Sequence, residues 1–95
     1  MSDDLTKKRM TRAKHRAAQI LRQSGYRVVG LSEDPLFDLE ASRDVEVRKI
    51  KIMLMAPSKP DKTRIEAVKY PASCKKEIWL KDIDGPDFSI IEMKK

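Results

Sequence analysis

"PLFDLEASRDVEVRKIKIMLM", residues 35–55, places Asp38, Glu40, Asp44 and Glu46 close together and follows them at once with Arg48, Lys49 and Lys51. "FDLEA" (37–41) alternates apolar and polar, and "VEVRKIKIMLM" (45–55) reads as a long strand. With a three-residue turn at Ala41, Ser42 and Arg43, the two strands form an antiparallel hairpin in which Glu40 faces Asp44 and Asp38 faces Glu46. Side chains opposed in this way lie about 5 Å apart at Cβ, and like charges there destabilise the pair. The spacing therefore predicts a neutralising partner: Arg48 on the same face, a basic residue from elsewhere, or a divalent cation such as Mg²⁺ held between carboxylates. The expectation depends on register, since a slip of one residue sets Asp38 opposite a valine.

Working outward, "KKRMTRAKHRAAQILRQSG" has helical periodicity. Met10, Ala13, Ala17, Ile20, Leu21 and Ser24 share one face, while Arg12, Arg16, Gln19 and Gln23 form the opposite stripe, flanked by His15 and Arg22. Gly25 is the expected stop, because glycine accepts the left-handed conformation that ends helices. Residues 1–6 read as a loose tail. "YRVVGL" (26–31) is a short strand broken by "SEDP". After "APSKP", "DKTRIEAVKY" gives a second helix with Ile65 and Val68 on one face and Pro71 ending it. "KEIWL" (76–80), a turn at "KDIDGPD" and the strand "FSIIEM" complete the chain. Phe37, Trp79 and Phe88 fall in strand patterns and read as packing residues rather than a base-stacking platform.

The expected fold is a small α+β domain, a mixed sheet flanked by helices in the order α-β-β-β-α-β-β. The 95 residues suffice for one core, and no linker or internal repeat divides them. No apolar run is long enough to cross a bilayer, and the first residues lack the apolar core of a signal peptide. The single Cys74 cannot form an internal disulfide and suggests a cytoplasmic protein. There is no glycine-rich phosphate loop and no Ser/His/Asp set, and with one His and one Cys a hydride-transferring or zinc enzyme is not expected. The net charge is +6, and residues 1–31 carry eight Lys and Arg against two Asp, whereas the remaining residues are balanced at thirteen each. All the excess positive charge therefore belongs to the first third. Lys8, Arg9, Arg12, His15, Arg16 and Arg22 are the candidate nucleic-acid contacts.

The element order, with an Asp on the second strand and an acidic-x-basic triplet on the third, resembles the PD-(D/E)xK nuclease superfamily. "LRQSGYRVVGLSEDPLFDLEASRDVEVRKIKI" is similar to the pattern of its archaeal Holliday junction resolvases. The resemblance implies a restriction endonuclease-like fold and a metal-dependent DNA endonuclease. It makes Asp38 and Glu46 the ligands of Mg²⁺ or Mn²⁺ and puts Arg48 at the place of the catalytic lysine. In such an enzyme the metal activates water and a nearby cation stabilises charge on the phosphate. A resolvase would also act as a homodimer, with two sites related by a twofold axis. This chain departs from the pattern in carrying Arg for Lys, no acidic residue over residues 7–25, and "FD" for "PD". The alternatives are a nuclease-fold protein that binds nucleic acid without cutting it, and a structural or partner-binding subunit.

Overall fold

A computed structural model describes residues 2–31, 33–34, 36–71, 73–82, 85 and 87–93, with the side chains of residues 2–4 excepted. The breaks expected at "SEDP" and "KDIDGPD" fall partly outside these residues, as do Pro35 and Met1. The observed order is α1 (Ser2–Gln23), β1 (Arg27–Gly30), β2 (Leu39–Arg43), β3 (Glu46–Met53), α2 (Lys59–Ala67), β4 (Cys74–Lys81) and β5 (Phe88–Met93). This is the predicted α-β-β-β-α-β-β sequence of elements in a small α+β domain.

The strands form one sheet in the order β1-β2-β3-β4-β5. The first three make an antiparallel meander, β3 pairs with β4 in parallel, and β5 returns antiparallel. A parallel neighbour requires a crossover, and α2 supplies it. Successive strand residues point to opposite faces. Leu39, Ala41, Ile50, Ile52 and Trp79 therefore meet Ala13, Ala17, Ala18 and Leu21 of α1 on one face. Ile78 and Met93, with Phe37, meet Ile65 of α2 on the other. The apolar stripe read on the first helix is the stripe that is buried. Phe37 and Trp79 are core residues, and the Trp79 ring packs against Phe88 at 5.4 Å between centroids.

Residues 2–6 are not a tail: α1 begins at Ser2. Apolar periodicity starts only at Met10, so the first two turns carry no core signal, yet Ser-Asp-Asp contains the residue types that favour a helix start. At the other end Gly25 adopts φ +92°, with Tyr26 N–H donating to Leu21 O and Gly25 N–H to Arg22 O, a Schellman close. α2 starts at Lys59 rather than Asp61 because Ser58 and Asp61 form a reciprocal capping box. Its far end is closed from the sheet: buried Lys76 donates from Nζ to the carbonyls of Ile65, Glu66 and Val68, at 3.0, 3.0 and 2.6 Å.

Candidate nucleic-acid interface and the hairpin site

The β2–β3 hairpin turns at Asp44 and Val45, not at Ala41–Arg43, and this corrects the expected register. Arg43 pairs with Glu46, Ala41 with Arg48, Glu40 with Lys49 and Leu39 with Ile50. Asp44 takes φ +54°, a left-handed conformation that Asp tolerates better than most residues, and so permits a two-residue connection. Neither like-charged pair forms. Glu40 instead meets Lys49 Nζ at 2.6 Å across the strands, and Arg43, not Asp38, stands opposite Glu46.

Asp38 sits just before β2 as a structural hub. Its N–H donates to Ile50 O, its carbonyl accepts from Leu31 N–H, and its Oδ2 accepts from Ile52 N–H at 2.8 Å. The carboxylate thus continues the ladder beyond the end of the strand. Two lysines neutralise it: Lys14 of α1 at 3.4 Å from Oδ1 and Lys51 at 3.6 Å from Oδ2.

Glu46 lies at the start of β3 and accepts from the Tyr26 hydroxyl at 2.5 Å. That hydrogen bond, assisted by Lys75, Arg43 and Arg48, holds its carboxyl below the usual range against a smaller opposing effect of desolvation. Arg43 stacks over the Tyr26 ring at 4.5 Å and donates from Nη1 to Ser24 O, so the end of α1 clasps the hairpin turn.

Arg48 is clamped. Its Nε and Nη2 engage the Glu77 carboxylate at 2.6–3.0 Å, and the side chains are only 15% and 5% exposed. Trp79 Nε1 donates to the same carboxylate at 2.9 Å, and the guanidinium lies over the Tyr26 and Trp79 rings. Burial opposes the charge on Arg48, but Glu77 outweighs it and raises the guanidinium above its ordinary value.

Glu46 and Arg48 therefore meet around Tyr26, whereas Asp38 belongs to a separate set of contacts. Asp38 and Glu46 are poorly suited to share a metal: Asp38 already holds a backbone N–H and two ammonium groups, and Glu46 lies on β3 beyond the stretch that Asp38 faces. Among the described residues no group of three His, Cys, Asp or Glu is placed to hold an ion. Glu77, which sequence reading passed over, is the charged centre of this sheet face. An acidic residue inside the apolar-leaning "KEIWL" was its only signal.

The candidate binding residues all lie on α1. Lys8, Arg9, Arg12, His15 and Arg22 are exposed, and Arg16 is half-buried with Nη1 on Gln19 Oε1 at 3.1 Å. Among the described residues Lys8, Arg9, Arg12 and Arg22 make no ion pair, whereas Lys14 is spent on Asp38. Arg12, His15, Arg16, Gln19 and Arg22 line a shallow depression along the helix. A second cleft, sharing His15 and Arg22, opens between α1 and β1.

Comparison with protein-family models, with curated proteins and with solved structures gave no match. No helix among the described residues is long and apolar enough to cross a membrane.

Proposed function

We propose that this chain binds nucleic acid through the exposed face of α1 and does not cut it. The observation that carries the reading is the division of charge. Asp38 is paired with Lys14 of α1 and with Lys51, Glu40 with Lys49, and Glu77 with Arg48. Among the described residues Lys8, Arg9, Arg12 and Arg22 make no ion pair, and they share one exposed face of a helix of 22 residues, about 33 Å long at 1.5 Å per residue. Cations gathered on one helix face are the electrostatic footprint that phosphates attract.

The element order α-β-β-β-α-β-β supports a restriction endonuclease-like scaffold. Cleavage is not part of the proposal, because the register separates the two carboxylates that would hold Mg²⁺ or Mn²⁺ and Arg48 is committed to Glu77. The homodimer that a symmetric cutter requires is then no longer required either.

The test is binding of Arg9→Ala/Arg12→Ala across a salt series. Two lost phosphate contacts should lower the slope of log K against log salt by about two on duplex DNA. No cleavage should appear with Mg²⁺ or Mn²⁺ for the wild type or for Arg48→Lys. An unchanged slope, or metal-dependent cutting, would overturn the proposal.

A further inference from the structure

The cleft between α1 and the edge strand β1 has a volume of about 490 Å³, within the range of small-molecule sites. Its two ends differ in chemistry. His15 and Arg22 stand on the helix side and can take an anion. The Asp38 carboxylate lies on the sheet side, 14% exposed. Its Oδ2 is occupied by Ile52 N–H and Lys51, but among the described residues its Oδ1 has Lys14 alone, at 3.4 Å, longer than a good charge-assisted hydrogen bond. Oδ1 therefore retains capacity to accept. Between the ends the lining is aliphatic, from Ala18, Val28 and Leu39. Gly30 leaves room as well: a Cβ built there meets nothing within 4 Å.

A bare phosphate would use the cations and leave the aliphatic lining unmatched. A duplex would reach the cations, but its bases are stacked and paired, so their faces and amino groups cannot enter. The ligand that matches both ends and the middle is a nucleotide with its base free. We propose, resting on the reading of α1 as a nucleic-acid surface, that this cleft takes one unpaired nucleotide of a single strand. Its phosphate lies against His15 and Arg22, its base against Val28 and Leu39, and an exocyclic amino group of the base donates to Asp38 Oδ1. Cytosine satisfies this with its amino group, whereas thymine carries a carbonyl at the same ring position.

The experiment compares labelled oligo-dC, oligo-dT and a duplex of equal length at mildly alkaline pH, with dCMP as competitor. Wild type should bind oligo-dC about tenfold tighter than oligo-dT, the scale of one hydrogen bond to a charged group. Gly30→Leu fills the cleft at a position with space for it and should remain folded by circular dichroism. It should lose the preference for oligo-dC over oligo-dT while keeping its duplex affinity. Asp38→Asn can still accept from Ile52 N–H and would turn its amide NH₂ toward the cleft, so the preference should shrink or reverse toward oligo-dT. The inference is overturned if wild type shows no preference or Gly30→Leu retains it. It is also overturned if dCMP alone binds as tightly as oligo-dC, which would make the cleft a site for free nucleotides. These failures leave the α1 reading standing, provided duplex binding still responds to Arg9 and Arg12. If no nucleic acid binds at all, both readings fall.

Discussion

Arg48 and Glu77 show how a charged residue on a strand acquires its role from a partner far along the chain. The pair is nearly buried, so each ion is tolerated only because the other is present. Glu77→Gln should destabilise the protein by about 3 kcal/mol in urea unfolding, since it leaves a buried guanidinium without its counter-ion. Arg48→Met/Glu77→Gln should recover most of that loss, because it removes the uncompensated guanidinium while the new amide oxygen still accepts from Trp79 Nε1. A double variant no more stable than Glu77→Gln would show that the pair is not an isolated unit. Glu46 gives a pH-dependent test. Its carboxyl is held below its ordinary value by the Tyr26 hydroxyl, so its stabilising contribution is complete above the unfolded value and is lost as pH falls through the folded one. Tyr26→Phe should therefore lower stability at neutral pH by about 1 kcal/mol and show a shallower decline in acid. Parallel urea-stability profiles against pH for the two proteins would count against the hydrogen bond.

At the scale of elements, the end of α2 depends on a residue outside it. The last turn of a helix leaves carbonyls without intrahelical donors, and Lys76 of β4 collects three acceptors around one buried ammonium. Lys76→Met keeps the length of the side chain and removes the donors. It should cost about 2 kcal/mol and raise amide exchange in α2 before the sheet. Equal exchange in the two helices would assign Lys76 to packing alone. What the sequence disclosed about the elements follows the same division between local and distant causes. The stripe of α1, the stop at Gly25 and the succession of elements along the chain were legible because periodicity and a left-handed glycine are local. The hairpin register was not, because it turns on one left-handed φ at Asp44, and Asp carries a much weaker signal for that conformation than Gly. The partners of Asp38 were hidden for a related reason. A carboxylate that stands in for a backbone carbonyl in a ladder looks, in sequence, the same as one waiting for a metal. The candidate contacts on α1 were legible as an exposed face but could not be ranked, since only the fold shows Lys14 turned to Asp38 and Arg16 half-buried.

For the whole molecule, the cationic face of α1 means that a polyanion should act as a structural ligand. Duplex DNA at about a thousandfold excess over its Kd should stabilise the native state by about 4 kcal/mol, seen as a rise in Tm, if the unfolded chain binds more weakly. The rise should disappear in high salt, where counterion release no longer favours the complex. A Tm increase that persists in high salt would indicate that contacts other than phosphates hold the DNA.

The single parallel pairing in the sheet has a consequence for biosynthesis. During translation α1 and the meander β1–β2–β3 leave the ribosome first, and they contain only local pairings that form quickly. Until β4 follows, β3 presents an open edge, with Ile50 and Ile52 beside it and Arg48 awaiting Glu77. The nascent chain therefore passes through a stage in which the edge of β3 is unguarded. Codons between Met53 and Cys74 that slow elongation would prolong that stage and lower soluble yield without altering a single residue.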